Sequence, residues 1–380
     1  MKPAETLRYF EDRRDAIIGL VREIVDIESP SHDAARSRAV IDWIEKQAKL
    51  PGAELEIERV SVDDGEHIII RAFSGDAEPT LLLGHTDTVH PVGTCEKNPT
   101  RIDGDRFFGC GIFDMKSGVV LMLEALRFFA ATGMRPATPI TILLSCDEEV
   151  GSMTGRPLVE QEAAKAERCF VVEPSADGRV KTGRKGTGMY TLRAHGVPAH
   201  AGLEPEKGAN AVAELARQIE TIHAVARPEI GTTVNVTTFH GGTTLNVIPE
   251  HAECEIDVRF TQAEEAERVD GELRLLSPFD PRVSLQLDGG INRPPMERTD
   301  AVATLYEKAR DIAASFAYDL GEAQVGGGSD GNFVGALGVP VLDGLGISGS
   351  GAHTLEEHIL VSDIAKRATL ITMLLSSDSQ

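Results

Sequence analysis

Seven polar side chains that could bind a metal ion or transfer a proton follow short apolar runs or lie in glycine-containing loops. They are His85, Asp87, Asp114, Glu148, Glu149, Glu173 and His353. Two histidines and several carboxylates, with no thiolate among them, are nitrogen and oxygen donors that suit Zn²⁺, Co²⁺ or Mn²⁺. A histidine followed two residues later by a carboxylate, as in G-H-T-D, is typical of a metal ligand and the group that orients it. The sequence therefore predicts a metal site.

Each of these residues also has an ordinary structural interpretation. Asp114 precedes an apolar helical stretch and could simply cap that helix. Glu148 and Glu149 could form a solvated acidic turn, and His353 could be a plain loop residue. Glu173 is harder to explain in this way, because it ends a buried strand abruptly. The joint occurrence of these residues at successive strand ends and loops favours the metal site.

The elements that must position these residues alternate between strand-like and helix-like patterns. The runs Thr80–Leu83, Pro139–Ser145 and Cys169–Pro174 predict buried strands, whereas the run from Ser117 to Gly133 predicts a buried helix. Residues 103–111 are expected to form a glycine-containing turn region. Such alternation indicates an α/β fold with a mostly parallel sheet. Ligands of these sheets gather beyond the carboxyl ends of the strands, which is where the polar residues lie.

A second domain is predicted beyond Lys181–Gly188, a basic and glycine-rich stretch that suits a hinge. The elements that follow, from Met189 to Leu287, have the order β-α-β-β-α-β of a ferredoxin-like α+β unit. The last part of the chain, from about Ala301, again has the helix and strand patterns of the first domain. We therefore expect a catalytic domain of residues 1–184 and 296–380, with residues 185–295 as an inserted domain.

The composition excludes several classes of function. A formal net charge of −22 argues against binding to nucleic acid or to an anionic membrane surface. The five cysteines are scattered without a C-x-x-C pair, which fits reduced thiols rather than a disulfide framework. The N-terminal residues lack the apolar segment of a signal peptide, and no apolar run is long enough to span a bilayer. A cytoplasmic protein is expected.

Nine short motifs run along the chain between Leu83 and Thr354. They are G-H-T-D-T-V, G-C-G-I-F-D-M-K-S-G, D-E-E-V-G-S, V-E-P, P-A-H-A-G, N-V-I-P, D-V-R, G-G-G-S-D and G-A-H-T. Their content and order resemble the family of two-zinc amidohydrolases that includes glutamate carboxypeptidase, aminoacylase, acetylornithine deacetylase and succinyl-diaminopimelate desuccinylase. Within that family, D-M-K, N-V-I-P and G-G-G-S-D resemble the bacterial glutamate carboxypeptidases most.

The resemblance implies a zinc-peptidase catalytic domain with two Zn²⁺ ions per subunit, for which Co²⁺ or Mn²⁺ could substitute. The ligands of one ion would be His85, Asp114 and Glu173, and those of the other Asp114, Glu149 and His353. Asp114 would bridge the two ions, and the peptide bond that follows it would be cis. Asp87 would orient His85 without touching a metal.

The resemblance also assigns residues to catalysis and to substrate binding. Glu148 would be the general base, and His200 in P-A-H-A-G would stabilise an oxyanion across the interface of a homodimer that the inserted domain forms. The candidates for binding the substrate are Asn246, Arg259, Arg293 and Gly328. Among them, Arg293 would lie nearest the free carboxylate of the substrate, which arginine can bind with two hydrogen bonds.

The activity implied by the resemblance is hydrolysis of an amide bond next to a free carboxylate, as in a glutamate carboxypeptidase-like exopeptidase. Its substrate would be a small peptide or an N-acyl amino acid. An N-acyl-amino-acid deacylase or a dipeptidase is the alternative within the family, and a non-catalytic binding module that kept the fold is a third reading. The chain departs from the usual pattern in P-A-H-A-G, where S-H-A-G is commoner, and in the charged hinge G-R-K-G. These departures leave the identity of the substrate open.

Overall fold

The computed structural model describes residues 2–377, and the contacts within it divide the chain into two compact units. Unit 1 comprises the chain up to Gly183, Arg298–Val325 and the chain from Ser329 onward. Unit 2 comprises Arg184–Glu297 together with Gly326–Gly328. The division expected from the sequence differs by a residue or two at each junction. It also differs at Gly326–Gly328, for which no sequence pattern indicates a place in unit 2.

The helices and strands of residues 2–377 follow in chain order. The helices are α1 (Pro3–Asp26), α2 (Ala34–Ala48), α3 (Thr94–Lys97), α4 (Ser117–Thr132), α5 (Arg156–Ala163), α6 (Ala211–His223), α7 (Ala263–Arg274), α8 (Asp300–Ala314), α9 (Gly331–Ala336) and α10 (Ile364–Leu375). The strands of the first half are β1 (Glu56–Val62), β2 (Gly65–Ala72), β3 (Thr80–His85), β4 (Arg101–Asp103), β5 (Arg106–Phe108), β6 (Ile140–Ser145), β7 (Arg168–Val171), β8 (Val180–Arg184) and β9 (Gly186–His195). Those of the second half are β10 (Ala199–His200), β11 (Thr233–Gly241), β12 (Val247–Ile248), β13 (His251–Phe260), β14 (Ser284–Arg293), β15 (Glu322–Val325), β16 (Val341–Leu342), β17 (Gly349–Ser350) and β18 (His358–Leu360).

The main sheet of unit 1 has the strand order β1-β2-β6-β3-β7-β16. Strands β6, β3, β7 and β16 run parallel to one another, whereas β2 is antiparallel to both β1 and β6. The α/β class is therefore confirmed, with a sheet that is mixed rather than purely parallel. The parallel strands β3, β6 and β7 are adjacent, so the residues that follow them meet at one edge.

Burial explains why the central strands have no polar face. Every residue of β3 and of β6 is buried, because helices cover both faces of a parallel sheet. Helix α4 is buried along nearly its whole length and ends at Gly133, whose φ of 68° suits glycine. Near its start, a Cβ added to Gly118 would lie 2.2 Å from the carbonyl oxygen of Val172. Glycine is thus required where α4 approaches the end of β7.

A second sheet in unit 1 corrects one expectation from the sequence. Residues 103–111 were expected to form a turn region, but β5 lies within them and pairs with β4 and β18 in the antiparallel order β17-β18-β5-β4. The register places His358 opposite Phe108. Since β5 and β18 are three residues each and far apart in the chain, neither has a local pattern that predicts the pairing.

Unit 2 is built around a four-stranded antiparallel sheet in the order β11-β13-β9-β14. Together with α6 and α7, these strands have the β-α-β-β-α-β order predicted from the sequence, and the strand arrangement matches a ferredoxin-like unit. The expected hinge, Lys181–Gly188, consists largely of β8 and the start of β9. None of the helices formed by residues 2–377 is both long enough and apolar enough to cross a membrane.

Candidate metal centre

Three neighbouring strands of unit 1 deliver most of the predicted site. His85 is the last residue of β3 and lies beside Ser145, the last residue of β6. Leu83 pairs with Val171 at the end of β7, so that Glu173 follows its strand at the level where His85 ends β3. Glu148 and Glu149 begin a short helical turn directly after β6. Parallel pairing therefore brings a histidine and three carboxylates to one edge.

Asp114 and His353 reach the same edge from loops. Asp114 lies in the segment between β5 and α4, and the peptide bond from Asp114 to Met115 is cis, as the resemblance implies. His353 lies between β17 and β18 and has a positive φ of 64°, which few residues other than glycine adopt. The alternative interpretation of Asp114 as a helix cap is not observed, since the cap position of α4 is Lys116 and carries no side-chain cap.

The side chains form two overlapping groups around Asp114. The Nε2 atom of His85 lies 3.2 Å from Asp114 Oδ1 and 3.4 Å from Glu173 Oε1. The Nε2 atom of His353 lies 3.4 Å from Asp114 Oδ2 and 3.2 Å from Glu149 Oε2. Asp114 therefore directs one oxygen at each histidine, with a further carboxylate on either side.

Two clusters of potential ligand atoms occur within residues 2–377 at spacings that suit a metal ion. One consists of His85, Asp114 and Glu149, and the other of His85, Glu148 and Glu173, with all ligand atoms of a cluster within 4.8 Å of one another. The second cluster includes Glu148, to which the family resemblance assigns proton transfer rather than metal binding. The geometry alone admits either role for Glu148.

The electrostatics of the cluster favour a cation. Burial alone would lower the pKa of His85, but hydrogen bonds to Asp114, Asp87 and Glu173 raise it well above its ordinary value. Hydrogen bonds to Asp114 and Glu149 raise the pKa of His353 to about 10. Burial raises the pKa of Glu149, even though His353 opposes the shift. The carboxylates around the two histidines therefore create a negative environment that stabilises positive charge at this position.

An unsatisfied oxygen supports the same conclusion. Glu149 Oε1 is buried and has no hydrogen-bond partner within residues 2–377. A buried polar atom without a partner is unfavourable, and a metal ion bound at this oxygen would satisfy it. Imidazole and carboxylate donors at these spacings fit a divalent transition metal, so the residues present are compatible with bound Zn²⁺.

Asp87 is buried, and its hydrogen bonds connect the ring of His85 to the acidic turn after β6. His85 Nδ1 donates to the carbonyl oxygen of Asp87 at 3.0 Å and lies 3.3 Å from its Oδ1. The backbone N–H groups of Glu148 and Glu149 donate to the two oxygens of Asp87 at 3.2 and 3.1 Å. The Ser31 hydroxyl donates to Oδ2 at 2.7 Å. Asp87 therefore fixes both the His85 ring and the acidic turn.

In unit 2, His200 and Asn246 come together on the small β10–β12 pairing. Ala201 N–H donates to the carbonyl oxygen of Asn246 at 2.9 Å. His200 Nδ1 accepts the backbone N–H groups of Gly202 and Leu203 at 3.2 and 3.1 Å. Since Nδ1 is an acceptor, a neutral His200 carries its proton on Nε2. The exposed ring therefore presents a hydrogen-bond donor to its surroundings.

The remaining substrate-binding candidates also lie in unit 2. Arg293 is buried at the end of β14, and a Cβ added to Gly328 would lie 2.8 Å from Arg293 Cδ. Gly328 thus leaves room for the Arg293 side chain. Arg259 differs, because its guanidinium donates to both carboxylate oxygens of Asp257 at 2.7–3.0 Å. The structure brings Arg293 and Gly328 together and pairs Arg259 with a neighbouring acid.

The sequence reasoning missed Glu357, a buried carboxylate four residues after His353. It accepts the backbone N–H groups of Gly111, Phe113 and Asp114 at 2.8–2.9 Å. The only sequence signal is its place before the short strand H-I-L, and the adjacent, exposed Glu356 has nearly the same context.

The comparisons with known proteins agree with this geometry. The chain is 28% identical over 371 residues to carboxypeptidase G2 of Pseudomonas sp. (strain RS-16), covering 96% of this chain and 89% of the relative. It is 30% identical over 316 residues to a succinyl-diaminopimelate desuccinylase of Delftia acidovorans, covering 77% of this chain and 80% of the relative. The crystal structure of the aminopeptidase PepT from Bacillus cereus superposes with a TM-score of 0.76 at 20% identity, covering 96% of this chain and 98% of PepT.

A family model assigns most of the chain, including all the residues around Asp114, to one group of enzymes. The model of "Peptidase family M20/M25/M40" matches residues 81–377, which include all of unit 2, most of unit 1 and every motif from G-H-T-D-T-V to G-A-H-T. Members of this family are metal-dependent hydrolases that act on amide bonds. The chain therefore belongs to the M20/M25/M40 peptidase family and is a hydrolase of that class.

Proposed function

We propose that this enzyme is a glutamate carboxypeptidase-like exopeptidase, which hydrolyses an amide bond next to a free carboxylate. The observation that carries the proposal is the arrangement around Asp114, where His85 and Glu173 lie on one side and Glu149 and His353 on the other, with Glu148 nearby. The similarity to carboxypeptidase G2 over 96% of the chain supports the choice of substrate class. A small peptide or N-acyl amino acid would be the substrate.

The site would hold two Zn²⁺ ions, with His85 and Glu173 on one side of Asp114 and Glu149 and His353 on the other. When bound, two such ions polarise the scissile carbonyl and increase the acidity of water. Asp87 would keep His85 in the tautomer whose Nε2 is free to bind metal, because Nδ1 donates to Asp87. His85 would thus be oriented before metal binds.

The proton transfer would belong to Glu148. Its backbone is anchored by Asp87, and its carboxylate lies within 4.8 Å of ligand atoms of His85 and Glu173. Glu148 would accept a proton from the attacking water and deliver it to the nitrogen of the leaving amine, as a general base and then a general acid. The free amino acid and the shortened acyl product would then leave.

Unit 2 would supply substrate recognition. Arg293 would bind the free carboxylate, since a guanidinium can make two parallel hydrogen bonds to it. His200 would donate its Nε2 proton to the developing oxyanion of the scissile group, with Asn246 beside it. His200 would act in the second subunit of a homodimer. Arg259 is paired with Asp257 and would contribute to substrate binding as part of that ion pair.

A two-way substrate panel tests the proposal. In one series the amino acid is glutamate and the acyl group varies; in the other the acyl group is acetyl and the amino acid varies among glutamate, aspartate and leucine. A carboxypeptidase should require glutamate and tolerate changes of the acyl group. The reverse pattern would make the enzyme an N-acyl-amino-acid deacylase, and free dipeptides as the best substrates would make it a dipeptidase. No turnover of any compound by zinc-loaded protein would favour a binding module.

A further inference from the structure

We infer that Glu357 is a positioning residue that locks together three of the five chain segments bearing the proposed metal ligands, those of His85, Asp114 and His353. The inference rests on the proposed function only in taking the site to bind metal; it does not depend on which amide is cleaved. Glu357 is 1% exposed, and its own contacts reach each of the three segments.

The first segment is the loop of Asp114. Glu357 Oε1 accepts the N–H groups of Phe113 and Asp114 at 2.8 and 2.9 Å, and Oε2 accepts that of Gly111 at 2.8 Å. Gly111 has a φ of 71°, and a Cβ there would lie 2.5 Å from Thr88 Cγ2. The loop is therefore held by a carboxylate on one side and confined by packing on the other.

The second segment comprises the end of β3 and the residues after it, and it carries His85 and Asp87. Its residue His90 is buried, and His90 Nε2 lies 2.8 Å from Glu357 Oε2. An ionised carboxylate can only accept, so the imidazole donates. The third segment is the one that holds Glu357 itself, with His353 four residues earlier. Its place is fixed by the β18–β5 ladder and by Gly109 N–H, which donates to the Glu357 carbonyl oxygen at 3.2 Å.

The two oxygens of Glu357 together accept four hydrogen bonds, so a carboxylate is required at this position. A glutamine has the same shape, but its NH₂ group cannot accept. With NH₂ in the place of Oε1, the N–H groups of Phe113 and Asp114 lose their acceptor. With NH₂ in the place of Oε2, the N–H of Gly111 loses its acceptor. In either orientation, Glu357→Gln frees at least one backbone N–H of the loop that bears Asp114.

The test compares Glu357→Gln with wild type and with Glu356→Gln. Glu356 is adjacent, and its side chain is 80% exposed, so that variant is a matched control. Zn²⁺ affinity is measured by competition with a chelator, and Co²⁺-loaded protein is examined by visible absorption. We expect Glu357→Gln to bind Zn²⁺ about 10- to 100-fold more weakly and to shift the Co²⁺ bands. At saturating metal, kcat should fall and KM should change little. Glu356→Gln should behave as wild type.

Thermal unfolding shows whether each variant is folded. A folded Glu357→Gln protein with wild-type Zn²⁺ affinity and Co²⁺ bands would overturn the inference, as would an equal loss in Glu356→Gln. If Glu357→Gln does not fold, His90→Phe decides, because it removes one donor from the same carboxylate. Weaker Zn²⁺ binding by folded His90→Phe supports the inference, and unchanged binding overturns it. The Zn²⁺ affinity and the Co²⁺ bands are measured without substrate, so they stand apart from a failure of the proposed activity.

Discussion

The two neighbouring glutamates after β6 have different surroundings, which fit different roles. Glu149 is mostly buried, its Oε2 lies 3.2 Å from His353, and its Oε1 lacks a hydrogen-bond partner within residues 2–377. Glu148 is half-buried and groups with His85 and Glu173 instead. Asp87 holds the backbone N–H groups of both residues, so the turn is fixed. From this turn the two side chains reach different groups of ligand atoms. This divergence fits one metal ligand and one proton-transfer group.

Replacing Glu148 by glutamine should therefore separate catalysis from metal binding. We expect Glu148→Gln to retain wild-type zinc content and to lose about 10²- to 10⁴-fold in kcat, since an amide cannot accept the proton. Metal analysis together with steady-state kinetics measures both. Glu78→Gln, at an exposed carboxylate near the opposite end of β3, is the control. Loss of zinc in Glu148→Gln would make Glu148 a ligand, as the second cluster of ligand atoms allows.

Arg293 can be tested through the group that it is proposed to bind. Removing a charged hydrogen-bond donor should raise KM for an acyl-glutamate about 10- to 100-fold in Arg293→Ala, with a smaller change in kcat. The same variant should show little change with a substrate whose α-carboxylate is amidated. Arg282→Ala, an exposed arginine paired with Asp280, controls for the loss of positive charge. An unchanged KM for both substrates would exclude the assignment.

How far the sequence predicts a site residue depends on what its neighbours in the chain reveal. His85, Glu149 and Glu173 could be found because each follows a run of buried strand residues, and parallel strands bring such positions together. Glu357 could not, because three of its four partners are main-chain N–H groups some 245 positions earlier. A main-chain donor leaves no signature in the sequence. A carboxylate that binds the backbone of a distant loop therefore cannot be predicted from the sequence, whereas a carboxylate that directly follows a buried strand can.

At the scale of elements, the helices and strands with long local patterns were predicted, and those that depend on distant partners were missed. Helix α4 was predicted almost to the residue, because its apolar run is long and Gly133 ends it. Strands β5 and β18 are short and depend on each other across the chain, so their local patterns are too weak to predict them. The insertion of β6 between β2 and β3 in the sheet is likewise a long-range outcome. The local sequence pattern thus predicts a long helix or strand, whereas the order of strands in a sheet depends on contacts between distant parts of the chain.

Two glycines in helices of unit 1 should respond oppositely to alanine. Gly118→Ala would place a Cβ 2.2 Å from the Val172 carbonyl oxygen, next to Glu173, so α4 or the end of β7 must move. We expect a loss of about 1–3 kcal/mol in the free energy of unfolding, together with weaker zinc binding. Gly19→Ala meets nothing within 4 Å and should gain about 1 kcal/mol from helix propensity. Denaturant unfolding measures both, and a Gly118→Ala variant as stable as wild type would contradict the packing argument.

At the scale of the whole molecule, the proposed chemistry is divided between two units with separate cores. The metal-binding candidates all belong to unit 1, whereas His200, Asn246 and Arg293 belong to unit 2. In unit 2, β11 is an edge strand whose residues beyond Val234 are mostly exposed. Edge strands offer unpaired backbone groups to another chain. This edge is consistent with the homodimer that the resemblance implies, in which His200 would serve the partner's site.

Mixing two inactive variants tests that exchange directly. Glu148→Gln removes the general base but leaves His200 intact, and His200→Ala does the reverse. If His200 acts in the partner's site, a mixed dimer contains one complete site, made of Glu148 from one subunit and His200 from the other. Random pairing makes half of the dimers mixed, and each has one working site in two. We therefore expect co-expression to restore about a quarter of wild-type activity. If His200 acts within its own subunit, mixing restores nothing, and sedimentation of the mixture establishes whether dimers formed at all.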